Sequence, residues 1–292
     1  FGAKAVLIRS LTPDSSTSGP HTGTQQPYEK VSDGTLVTIP AACIALEDSE
    51  LLSRLSKRGH TLSVCLTLPC YFLPDRTSRN LVFEITGSEL PEEIVIIGGH
   101  TDCWDCQFGC CQGAHDDGQG VVIALEIIRI LNVLGMRPRR SIRAVLFVDE
   151  EVRQRGAFAF AEAHAFEAHN IVAAIETDLG VGPVCGFGFS GCPEARSTLR
   201  KLLEPLSLLG QVNQVDERWS GKGVDISPLI DKYGVPGLLL RHEDTWWNSE
   251  YFHIHHTASD TIDHVDKSLL LKNLQVLLGT VWILANSSET LR

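Results

Sequence analysis

Three short apolar runs, EIVIIGGH (93–100), SIRAVLFVDEE (141–151) and IVAAIETD (171–178), each end in histidine or acidic residues, and helical patterns separate them. Runs this short and this apolar are strands covered on both faces, the signature of a largely parallel sheet. The segments between them agree. Gly118 to Leu134 reads as a helix whose apolar face is wide enough to lie on a sheet, and Gly156 to Phe166 as a second. The stretch 193–210 is largely helical, with Pro205 set to kink it or end it early. VPGLLLRH (235–242) is a further strand, and Lys267 to Ala285 a closing helix. Alternating strands and helices predict an α/β fold, a mixed but mostly parallel sheet flanked by helices.

The first 75 residues follow another pattern. KAVLIRS, TLVTIP and HTLSVCLTL read as strands, Glu47 to Arg58 as a helix, and Thr12 to Gly34 as a loop rich in Pro, Gly, Ser and Thr. LPDRTSRN marks a boundary, giving a β-rich unit at 1–75 and the α/β unit at 76–292. FGAKAVLIRS does not resemble a signal peptide and reads as the middle of a domain, so the expected amino terminus is truncated or processed.

Composition narrows the partners. With 25 basic against 36 acidic residues, a net charge of −11, nothing would neutralise nucleic-acid phosphates. No run of ~18 uninterrupted apolar residues is present, so no membrane span is expected. Nine cysteines and one sequon, Asn286-Ser287-Ser288, fit a secretory route.

The chemistry gathers at the strand ends. His100-Thr101-Asp102, Asp149-Glu150-Glu151 and Glu176-Thr177-Asp178 close three strands, and Asp116-Asp117 opens the long helix. In open α/β sheets the ligand crevice lies outside the carboxyl ends of the strands. A polar strand end is ordinarily just solvated. Three of them with two further carboxylates form a cluster that repels itself unless a cation neutralises it. Imidazole and carboxylate donors without a tetrahedral cysteine set suit catalytic zinc. A fifth ligand would come from YFHIHHTASDT (251–261), with three histidines in four positions.

In that order GGHTD, GAHDDG, DEE followed by GA, ETD and HHTASDT resemble the co-catalytic two-zinc aminopeptidase and carboxypeptidase family. The similarity runs over nearly the whole chain, through PHTG, IPAACIALED, FEITGS and DKYGVPG. The resemblance implies the zinc-exopeptidase fold and two zinc ions, His100 and Asp178 on one, Glu151 and His256 on the other, with Asp116 bridging. His256 rather than His255 is implied because the family's ligand directly precedes the Thr or Ser of its HT-x-x-D-T pattern. Asp102 would take a hydrogen bond from the second nitrogen of His100, and the Asp116-Asp117 bond would be cis. Glu150 would be the general base of a metal-bridged hydroxide attacking a short peptide, and Tyr251 a weak candidate for the oxyanion donor. Residues 1–75 would be the carboxyl-terminal part of a protease-associated domain, the catalytic domain lacking its amino-terminal elements. Family members are secreted or lysosomal, favour unsubstituted dipeptides, and include a dimer.

Three departures stand out. CQFGCCQ (106–112) lengthens the loop before Asp116, His115 replaces an apolar residue, and Asp149 replaces a small one. The cysteines 103, 106, 110 and 111 leave open a local disulfide, free thiols or a separate thiolate zinc site. Competing readings are a glutaminyl-cyclase-like single-zinc acyltransferase and a non-catalytic receptor-like ectodomain; the latter expects missing ligands, and here every position is filled.

Overall fold

The computed structural model describes residues 2–12, 21, 23, 39–69, 71, 73–105, 111–243 and 250–292. In the first unit β1 (Val6–Arg9) pairs in parallel with β2 (Ala41–Ile44), and α1 (Leu46–Lys57) follows. The expected strand TLVTIP (35–40) falls mostly outside the described residues. HTLSVCLTL (60–68) forms no strand, contrary to its alternating pattern. Leu62, Val64 and Leu68 stay exposed, Val64 at 52%, and no described strand lies alongside to accept its backbone bonds.

The second unit is built on seven strands: β3 (Leu81–Ile85), β4 (Leu90–His100), β5 (Arg140–Phe147), β6 (Ile171–Glu176), β7 (Val184–Ser190), β8 (Gln214–Asp216) and β9 (Gly237–His242). Their spatial order is β3-β5-β4-β6-β9-β7-β8. β4 runs parallel to both β5 and β6, β6 to β9 and β7 to β8; β3 on β5 and β7 on β9 are antiparallel. This is the expected mixed, mostly parallel sheet. β3, β7, in the glycine-rich VCGFGFS, and the short β8 were not expected.

Strand alternation divides the core. Val95 and Ile97 of β4 face α2 (Gln119–Val133), through Ile123, Ile127 and Leu131. Ile94 and Ile96 face the opposite layer, where Ala157, Phe160 and Ala161 belong to α4 (Arg155–Ala163), which follows the one-turn α3 (Glu150–Arg153). α5 (Pro193–Leu202) stops before Pro205, which sits in a 3-10 turn, Glu204–Leu209. α6 (Ser227–Tyr233) and α7 (Glu250–Ile254) are short, and α8 (Lys267–Asn286) closes the chain, capped by Asp266. By length and composition α8 could cross a bilayer (mean hydropathy 1.5), yet its Val276, Leu277, Val281 and Leu284 are buried in the core against the sheet. Asn286 commits its side chain at the end of α8: its amide oxygen accepts from the Arg139 N–H (3.1 Å) and its amide nitrogen donates to the Trp282 carbonyl (2.8 Å).

Candidate metal centre

The register sets the site. His100, the last residue of β4, lies opposite Phe147 of β5, and Gly98 opposite Glu176 of β6. The three motifs therefore leave the sheet side by side from adjacent parallel strands. Asp149 adopts a left-handed backbone (φ 63°), a conformation Asp tolerates better than most residues, and turns the chain into α3. Glu150 and Glu151 are thus the first residues of a helical turn. Their side chains part because the helix rotates between them, not through strand alternation.

Three groups of donors converge among the described residues, each within 4.8 Å: His100, Asp116 and Asp178 in one, Asp116, Glu151 and His256 in a second that shares Asp116 with it, and His21, His255 and His256 in a third that shares His256 with the second. Nε2 of His100 is 3.2 Å from Asp116 Oδ1, 3.7 Å from Asp178 Oδ1 and 4.0 Å from Glu150 Oε2. His256 Nε2 lies 3.0 Å from Asp116 Oδ2 and 2.8 Å from Glu151 Oε2. His255 Nε2 also approaches Asp116 Oδ2, at 3.1 Å, and its ring stacks on His256 at 3.7 Å. Despite these distances Asp116 Oδ2 accepts no hydrogen bond, and neither does Asp178 Oδ1; both atoms are buried. Asp178 Oδ1 is too far from His100 Nε2 for a hydrogen bond, and Asp116 Oδ2 meets two imidazole nitrogens without one; buried oxygens left this way suit a common cation.

Backbone and neighbouring groups hold the donors in place. His100 turns Nδ1 toward the backbone carbonyl of Asp102 (2.9 Å), which leaves Nε2 facing the centre. The Asp102 carboxylate, expected to be that partner, stands 3.8 Å away and instead accepts the backbone N–H groups of Glu150 and Glu151, each at 3.2 Å. It therefore positions α3. The Asp116-Asp117 peptide is cis. Asp117 accepts from the His100 and Gly120 N–H groups (both 3.1 Å) and from Gln119 Nε2 (2.8 Å). Gly99 permits this approach, since a Cβ there would lie 2.2 Å from Asp117 Oδ2. Asp260 of the HHTASDT loop receives the N–H groups of His115 (2.7 Å) and Asp116 (3.1 Å). His115 is a tie: Nδ1 accepts from Val181 N–H (3.2 Å), so Nε2 donates to the His264 carbonyl (2.9 Å). Cys111 is disulfide-bonded, its sulfur 3.1 Å from the Thr257 carbonyl beside His256. Cys106 and Cys110 lie outside the described residues.

The electrostatics follow from burial. It pushes Glu150, Glu176 and Asp178 each up to about 7. Burial opposes ionisation of Asp116 too, but the imidazoles of His100, His255 and His256 hold it well below the usual carboxylate range. Burial likewise works against a charged His256, yet Asp116 and Glu151 push it up to about 10. His255 moves the other way, lowered by burial. Tyr251 is buried with its ring 4.6 Å from that of His255, and burial raises its phenol well above the ordinary value, so it stays protonated.

Residues that the sequence assigned no role of their own also bear on the site. Glu176, fully buried, accepts the N–H groups of Val224 (2.8 Å) and Ile226 (2.9 Å), and Asp225 between them keeps both buried carboxylate oxygens without a hydrogen bond. His21 reaches His255 from the first unit. Both are through-space relations with no local spacing to reveal them.

Known proteins resemble this chain in sequence and in fold. The chain is 37% identical to carboxypeptidase Q of Pongo abelii over 290 residues, which are 99% of this chain and 58% of that protein. It thus spans little more than half the length of that relative. Among solved structures, a peptidase M28 precursor from Shewanella amazonensis superposes with a TM-score of 0.87 at 32% identity, covering all of this chain and 62% of that one. A zinc aminopeptidase from Bacillus subtilis, BSAP, shares the fold, with a TM-score of 0.63 at 18% identity over 99% of this chain and 65% of that one. Residues 80–281, from the start of β3 to the last turns of α8, match the model of peptidase family M28, and with the donor groups falling inside that span, the chain belongs to that family.

Proposed function

We propose that the chain is the catalytic portion of a zinc-dependent exopeptidase that hydrolyses dipeptides and short peptides. The observation that carries this reading is the convergence of two donor trios on one shared carboxylate, Asp116, with orphaned buried oxygens on Asp116 and Asp178. The donors are imidazoles and carboxylates without thiolate, the set that catalytic zinc takes. His100, Asp116 and Asp178 would hold one ion, Asp116, Glu151 and His256 the other. Bound there, two zinc ions would polarise a peptide carbonyl and acidify the attacking water.

The remaining chemistry belongs to the protein. Glu150 stands outside both trios, and its carboxyl, pushed up to about 7, suits a group that takes a proton from water and returns it to the leaving amine near neutral pH. Asp102 places Glu150 and Glu151 through their backbone N–H groups, and Asp260 places Asp116. Tyr251 is a protonated wall of the site able to donate to a developing oxyanion. Similarity to carboxypeptidase Q supports release of a carboxyl-terminal residue; on a dipeptide either end gives the same products. Residues 1–75 fit the carboxyl-terminal part of a protease-associated domain, and a secreted or lysosomal setting and a homodimer belong to the same reading.

Zinc content tests it. The full chain purified without chelator should carry about two zinc ions and cleave dipeptides, and Asp116→Ala should empty both sites. One ion per chain would favour the single-zinc acyltransferase. None, with the fold intact, would sink the metal reading.

A further inference from the structure

A cleft of about 840 Å³ opens beside the metal centre, within the size range of sites that take small organic ligands. Glu151 and Trp104 line its inner end: Glu151 Oε2 meets His256 Nε2 at 2.8 Å, and the Trp104 ring stands 5.6 Å from that of His256. The outer wall is the stretch before β3, where Arg76 and Arg79 line the cleft, both exposed. That stretch is pinned on two sides. Asn80 donates to the Gly156 carbonyl (2.8 Å) and accepts the Val148 N–H (3.2 Å), which fixes it against the join between β5 and α4. Arg155 of α4 bonds Asp149 (2.7 Å) and reaches back to Asp75 (3.1 Å). Asp149, an acid at a position where a small residue was expected, thus helps to hold the rim.

Most charges around the cleft are already engaged. Asp149 is taken by Arg155, Asp102 accepts the N–H groups of Glu150 and Glu151, and Glu151 belongs to a donor group of the metal centre. Among the described residues Arg76 and Arg79 pair with no carboxylate, and Asp105 is the further acid on the wall. In a chain of net charge −11, two unpaired guanidinium groups therefore share a cavity with the metal centre. A guanidinium presents a planar fork of donors that matches a carboxylate. We propose that Arg76 and Arg79 form a carboxylate-recognition subsite, which holds the carboxylate of a peptide while its scissile carbonyl lies at the metals. That carboxylate is the terminal one or an acidic side chain, since both carry the same charge and the same pair of oxygens. Cleavage of the peptide rests on the exopeptidase reading; the preference for a carboxylate rests on the cleft. The two arginines meet the substrate away from the reacting atoms, so they set affinity and specificity.

Titration calorimetry on the zinc-loaded full chain tests this with reduced-amide isosteres, which resist hydrolysis. Ala-Ala offers a terminal carboxylate, Ala-Ala carboxamide offers none, and Ala-Glu carboxamide offers only the side-chain one. The unmodified chain should bind a carboxylate-bearing isostere roughly tenfold or more tighter than Ala-Ala carboxamide, as charge-assisted hydrogen bonds give. Whichever of the other two isosteres shows that gain identifies the carboxylate. Replacing Arg76→Gln and Arg79→Gln together should abolish the preference, and Arg79→Glu should reverse it, with zinc content and melting temperature unchanged. Equal affinity for the three isosteres would overturn the proposal. So would a preference that survives the double variant, because the carboxylate would then be held by the metals themselves. Cleavage of the parent dipeptides is measured separately. If binding follows the arginines but no dipeptide is cleaved, the subsite stands and the exopeptidase reading fails; if dipeptides are cleaved and binding ignores the arginines, the subsite fails alone.

Discussion

Glu150 and Glu151 are adjacent, and one helical step gives them different work. Glu151 Oε2 sits 2.8 Å from His256 Nε2, inside a donor trio; Glu150 stays outside, 4.0 Å from His100. Burial is the main influence on both carboxyls and raises both, but contact with His256 pulls Glu151 back. Replacing Glu150 by Gln keeps the shape and the ability to accept a hydrogen bond while removing the base. Peptide turnover should drop by ~10²–10⁴ with zinc content unchanged. Turnover at the unmodified rate would remove Glu150 from the mechanism. The same carboxylates could be picked out in the sequence because each ends an apolar run. The role of Asp102 could not, because whether its side chain or its carbonyl faces His100 depends on the turn after β4.

At the scale of elements, the sheet was legible wherever hydrophobicity alone decides. β4, β5, β6 and β9 lie where their apolar runs put them, and α5 stops before Pro205. β7 was hidden because its glycines answer to contacts rather than to periodicity: a Cβ at Gly188 would lie 2.0 Å from the Ser220 carbonyl oxygen. HTLSVCLTL shows the converse, a good alternating pattern with no strand beside it. The join between β4 and α2 is where element and site meet. Asp117 is wedged between Gly99 and Gly120, and a methyl group at residue 99 would fall 2.2 Å from its carboxylate. Gly99→Ala should therefore cost about 1–3 kcal/mol, as overpacking does, and lower zinc content as the Asp116-Asp117 turn shifts. Urea unfolding with parallel metal analysis checks both. An unchanged midpoint with two zincs would mean that the turn yields without moving its ligands.

The whole molecule gathers buried acids where a soluble protein ordinarily avoids them, so its stability should depend on what neutralises them. In the chelated chain only protons can. Glu150, Glu176 and Asp178 have folded values of about 7, above the ordinary carboxylate range, so these three groups hold more protons in the folded state than in the unfolded one between roughly pH 4 and 7, and His21 and His242, lowered by burial to about 3 and about 4, offset part of that. A group raised in this way stabilises below its unfolded value and loses that contribution as pH climbs through the folded one. His256, raised to about 10, acts in the same direction from about pH 6.5 upward. The chelated protein should accordingly lose stability steadily as pH rises from 5 to 8. Zinc reverses the dependence, because its ligands must be deprotonated to bind and it stabilises by binding only the folded state. Melting temperatures measured with zinc and with chelator should lie close together near pH 5 and separate progressively toward pH 8, the zinc-loaded curve above. Parallel curves across that range would mean that the carboxylate cluster is not the seat of the bound metal.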